Sequence, residues 1–134
     1  MKRNVTLVVA SLLSVLLTSL HLADDIVRGM EPGGVADLIA VPILVAWLYA
    51  TLVLAGRRSG YVIIIIGSLL GMLTPLVHFR NAGGVAGHIA GSSGVFFFVW
   101  TLIALGVTSL YSLVLAVREL WLGRRGGGGS DPAA

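Results

Sequence analysis

The chain has 134 residues, 57% of them hydrophobic and 11% charged, with a net charge of +3 and no Cys. A soluble domain carries roughly 25% charged residues, so a chain with this balance and a mean hydropathy of +0.98 is expected to use lipid as its solvent. The missing Cys excludes disulfides, thiolate metal sites and thiol redox chemistry, and the basic excess does not suit nucleic acid because it flanks apolar segments in short groups.

Four apolar segments occupy 5–22, 38–55, 61–77 and 95–117. Each is close to the ~20 residues that carry a helix across the hydrocarbon core. The first follows Met1-Lys2-Arg3, as a signal peptide would. Cleavage after Ala23 would place His21 where a small residue is needed, so the segment reads as an uncleaved anchor. It carries Ser11, Ser14, Thr18, His21 and Asp25 at helical spacing on one face.

The connection 23–37 is acidic and Gly-containing, with Asp24, Asp25, Arg28, Glu31 and Asp37. Asp37 is expected to N-cap the second segment. Pro42 falls about a turn into that segment, and Trp47 and Tyr49 lie near its middle, packing inside the bundle or facing lipid. The short link Arg57-Arg58-Ser59-Gly60 makes the second and third segments antiparallel neighbours.

The third segment carries Gly67, Gly71, Thr74 and His78 on one face, with a GxxxG at its centre and Pro75 near its end. Next comes a Gly-rich loop holding Arg80 and His88, in which 83–92 is a candidate interfacial or re-entrant helix. The fourth segment opens on Phe96-Phe97-Phe98 and Trp100, expected to contact lipid, with the lining of a hydrophobic entrance beside the outer polar cluster as the alternative. Thr101, Thr108 and Ser112 follow on a seam. Tyr61, Tyr111 and Trp121 read as an aromatic belt at the opposite boundary. Residues 126–134 form a Gly-rich tail expected to be flexible, leaving one domain over 1–125.

If all four segments span, Lys2, Arg3, Arg57, Arg58, Arg118, Arg124 and Arg125 share one side, and Arg28 and Arg80 the other. The positive-inside rule then puts both termini in the cytoplasm. The expected fold is all-α, an integral membrane four-helix bundle in a bacterial-type cytoplasmic membrane. A shift of 57 residues lays Val5, Ser11, Leu12, Leu13, Leu16 and His21 on Val62, Ser68, Leu69, Leu70, Leu73 and His78. That raises a 2+2 internal repeat, the parallel kind that some transporters show.

Two features carry function. The small and hydroxyl residues Ser14, Thr18, Gly67, Gly71, Thr74, Thr101 and Thr108 are either close-packing seams or the lining of a pathway. The other feature is the outer polar cluster: His21, Asp24, Asp25, Arg28, His78, Arg80 and His88. Asp24 and Asp25 stand at i+3 and i+4 from His21, so either reaches the imidazole if the helix continues. His21, His78, His88 and Asp25 together suit a divalent ion such as Zn²⁺, Cu²⁺ or Fe²⁺. The competing readings of the cluster are a structural ion-pair network and a small-molecule or proton-linked site. A haem between His21 and His78 is disfavoured because both lie at helix ends.

The leading functional expectation is a non-catalytic membrane subunit or binding module whose outer His/Asp site takes a metal, a small molecule or a partner. The alternatives are an oligomeric small-molecule or ion transporter or channel, and a metal-dependent membrane enzyme. No charged residue falls at mid-membrane, which argues against a coupled ion pump. The expected partners are the lipid bilayer and either further copies of the chain or a larger membrane complex, not nucleic acid.

Overall fold

A computed structural model of the chain describes residues 4–30, 34–80 and 94–125. Those residues form four α-helices and no strand: α1 Val5–Val27, α2 Ala40–Leu52, α3 Arg58–Arg80 and α4 Val95–Arg125, with a 3₁₀ turn Val35–Ile39 leading into α2. α1, α3 and α4 are long and apolar enough to cross a membrane, whereas α2 is a shorter apolar helix. The loop 83–92 and the tail lie outside the described residues.

The helices do not end where the hydrophobicity does. α1 is expected to stop near Leu22 but continues to Val27, through His21, Asp24 and Asp25. Its stop is stereochemical. Gly29 takes φ +70°, its N–H donates to the Ile26 carbonyl at 3.0 Å, and the Met30 N–H donates to Asp25 at 2.9 Å. This is a Schellman ending, which favours a residue without a Cβ at the left-handed position. At the other end the Asn4 side chain accepts from the Leu7 N–H at 3.1 Å and caps the helix.

Three more boundaries differ from expectation. α2 begins after a 3₁₀ turn, so Ile39 and not Asp37 stands at its N-cap, with no side-chain cap bond. It ends at Leu52, because the chain turns through Gly56 at φ +90°. The turn is tight: a Cβ on Gly60 would run into the Leu54 backbone. α3 begins at Arg58, and α4 runs on to Arg125, so the basic residues Arg58 and Arg118 belong to helices rather than links.

Contacts at the two ends fix how the helices run. At one end Asn4 donates to Glu119 at 2.8 Å. At the other, the rings of His21, His78 and Phe98 pack together. α1 and α3 therefore finish beside the start of α4. α2 joins them through Trp47, whose Nε1–H donates to Ser11 at 2.9 Å.

The core nearer the Asn4 end gathers Leu7, Val15, Trp47, Ala50, Tyr61, Ile64, Leu115 and Ala116. Tyr61 is therefore a core residue, 1% exposed, and not part of an interfacial belt, whereas Tyr111 and Trp121 are exposed. Trp47 is buried in the same core and Tyr49 is exposed.

Lipid offers no hydrophobic drive for helices to associate, so close approach and polar contacts must hold them. The seam residues supply both. The Trp47 N–H donates to Ser11, Ser11 to Thr51 at 2.7 Å, and Thr51 to the Trp47 carbonyl at 2.8 Å, closing a satisfied ring between α1 and α2. Ser68 donates to Ser112 at 3.1 Å between α3 and α4. Gly67 lies flat against the Trp47 ring and Gly71 against Ser109.

Candidate functional site

The site forms where α1 and α3 end. Because α1 stays helical to Val27, His21 and Asp25 lie one turn apart on its inward face, 3% and 4% exposed. His21 Nε2 is 3.2 Å from Asp25 Oδ2. His78, in the last turn of α3, brings its Nε2 to 3.4 Å from the same oxygen. One donor atom from each of the three residues lies within 4.8 Å of the others.

Hydrogen bonding defines the chemistry further. His78 Nδ1 is 2.9 Å from the Thr74 carbonyl. A carbonyl can only accept, so Nδ1 carries the proton, and in a neutral ring Nε2 presents its lone pair to Asp25. A backbone carbonyl fixing the distal nitrogen is the usual support of a metal-binding His. His21 is buried with neither ring nitrogen hydrogen-bonded. The His78 Nε2 lone pair and the Asp25 carboxylate oxygen thus face one another at short range, and they repel unless a proton, such as one on His21 Nε2, or a cation lies among them.

The surroundings hold the cluster in place. The His21 and His78 rings meet edge-on with centroids 4.7 Å apart. Phe98 packs on both, at 5.4 and 5.9 Å. Phe98 is only 4% exposed, so the expectation of lipid contact for the Phe96-Phe97-Phe98 run fails for the third residue, while Phe96 and Phe97 are exposed. The run hides this because its three residues project to different faces of α4. The clue was the spacing of Phe98 from Thr101, Leu102 and Leu105, which share the buried side.

The neighbouring carboxylate has another job. Asp24 accepts from Arg28 Nε at 2.7 Å. Arg28 Nη2 also donates to the Gly94 carbonyl at 3.1 Å, and its guanidinium sits 5.9 Å from the Phe98 ring centre. Asp24 and Arg28 therefore tie the end of α1 to the start of α4. Sequence spacing could not choose between Asp24 and Asp25 as the partner of His21; the structure pairs His21 with Asp25.

Of the other outer residues, Arg80 closes α3, and His88 lies outside the described residues. The edge contact of the two imidazoles leaves no slot between them for a porphyrin plane, which bis-His haem ligation requires.

The hydroxyl seams are occupied by their own helices. Ser14 donates to Ala10, Thr18 to Ser14, Thr74 to Leu70, and Thr108 to Ala104, at 2.8–3.0 Å. Thr101 donates to the Phe97 and Phe98 carbonyls. Hydroxyls spent this way favour packing over a hydrated pathway.

No family model matches the chain, and neither does any curated protein or solved structure.

Proposed function

We propose that this is a four-span membrane protein whose outer helix ends hold a divalent transition-metal ion on His21, Asp25 and His78. The observation that carries the reading is the convergence of two imidazole Nε2 atoms on one carboxylate oxygen, with the distal nitrogen of His78 already committed to a carbonyl. Distances of 3.2 and 3.4 Å to that oxygen match the ligand–ligand edges of a tetrahedral centre with bonds of about 2.0–2.1 Å. A closing movement of about 1.5 Å would bring the widest pair, within 4.8 Å, to such an edge.

The span count draws support from length. α2 rises about 20 Å at 1.5 Å per residue. The 3₁₀ turn before it adds about 10 Å at roughly 2 Å per residue. Together they reach the ~30 Å of the hydrocarbon core. With four spans the Arg-rich ends share the cytoplasmic side of a bacterial-type membrane and the metal site faces out. The 2+2 repeat is supported by Ser11 and Ser68, each bonding a hydroxyl of the following helix, and by the meeting of His21 with His78.

We read the protein as a binding subunit rather than a pump, since no charged residue falls at mid-membrane in any of the four segments. Association with further copies would proceed through the lipid-facing surface. The competing reading is a structural His–Asp–His ion pair, favoured by the same short distances if a proton takes the place of the metal.

Elemental analysis of protein purified without chelator separates the two. Near-stoichiometric Zn, Fe, Co or Cu in the wild type, lost in H21A/H78A that still elutes as folded protein, supports the metal site. Metal-free protein that takes up none on titration supports the ion pair.

A further inference from the structure

Resting on that metal reading and deepening it, we propose that the centre keeps a coordination position for a small exogenous anion. The ion would then accept a ligand instead of serving as a closed structural staple. The described residues offer three donor atoms, two nitrogens and one oxygen. Structural zinc sites close with four protein ligands, whereas three protein ligands leave a position for water or substrate. Two His and one carboxylate is also the donor set that leaves open positions on Fe(II).

Charge selects the class of ligand. Two neutral imidazoles and one carboxylate leave a divalent ion with one uncompensated positive charge. The neighbouring carboxylate in sequence, Asp24, is bound to Arg28 at 2.7 Å, and that guanidinium offsets its charge. A site whose His21 and Asp25 are 3% and 4% exposed supplies little water to screen that charge. A monoanion brings the centre to neutrality, so hydroxide, carboxylate or a phosphate oxygen is the chemistry it would take.

Packing selects the size. Phe98 covers both imidazoles on the α4 side, and His21 and Asp25 are almost fully buried, so the position suits an occupant of a few heavy atoms.

The test uses full-length protein in detergent, loaded with Co²⁺ and titrated with azide while visible absorption is recorded. The expected result is a saturable shift of the cobalt d–d bands, retained in H88A. Stoichiometric cobalt whose spectrum azide leaves unmoved overturns the open position. So does a silent wild type whose H88A variant responds, because His88 would then be the fourth ligand. Protein that binds no cobalt overturns the metal reading itself, and this inference with it.

Discussion

Gly67→Ala tests whether the seams are packing devices. A Cβ at Gly67 would fall on the Trp47 ring, 2.7 Å from both Cγ and Cε2. Carbon atoms prefer about 3.5–4.0 Å, so the ring or the helix must move by about 1 Å. The ring is not free to move: Trp47 is 2% exposed and its Nε1–H is held by Ser11, inside the closed Trp47–Ser11–Thr51 ring. Overpacking of this kind costs about 1–3 kcal/mol, and a strained hydrogen bond adds about 0.5–1.5 kcal/mol. Alanine returns at most about 1 kcal/mol in helix propensity.

The expected net loss from Gly67→Ala is therefore about 1–3 kcal/mol, read by reversible unfolding in mixed micelles. Trp47→Leu in the Gly67→Ala background should recover part of it, giving a coupling above about 0.5 kcal/mol. Gly106→Ala is the control, since its Cβ would meet only Pro75 Cγ at 3.2 Å. A Gly67→Ala protein as stable as the wild type, with no coupling to position 47, would refute the close contact. It would also reopen the pathway reading of the seam.

Other predictions separate neighbouring roles. Asp25→Asn should abolish metal uptake while Asp24→Asn keeps it, both measured by titration calorimetry with Zn²⁺; loss in both would mean the two carboxylates act together. The Asp24–Arg28 pair is partly exposed, so Asp24→Asn should cost no more than about 1 kcal/mol of stability. Asn4→Ala removes both the α1 cap and the bond to Glu119 and should destabilise by about 1–2 kcal/mol in the same micelle assay; an unchanged midpoint would contradict the cap. For topology, Cys placed at Arg57 and at Gly126 should react with an impermeant thiol reagent only after cells are opened, and Cys at Gly34 before. Labelling of 57 and 126 from opposite faces would refute four spans.

Hydropathy revealed the number and rough position of the helices, because burial in lipid demands apolar side chains over a fixed length. It misjudged their ends for a physical reason. A helix leaving the bilayer loses lipid, not its hydrogen bonds, so α1 runs past Leu22 until Gly29 offers a left-handed stop. That extra turn puts Asp25 beneath His21. Spacing made His21 and Asp25 natural partners. Bringing His78 beside them needed the packing of α3 on α1 and α4, which no local pattern encodes. Phe98 and Tyr61 were misread because residue type alone does not reveal which face of a helix turns inward. A Phe in a run of three and a Tyr near a helix end both look interfacial until neighbouring helices are placed.

X-ray absorption at the edge of the bound metal tests the central claim most directly. Zinc-loaded protein in detergent should show outer-shell scattering from two imidazoles and an inner shell of nitrogen and oxygen near 2.0–2.1 Å, with H78A losing one imidazole. Bound zinc without imidazole scattering, or zinc that leaves during gel filtration, would contradict a metal centre built on His21, Asp25 and His78.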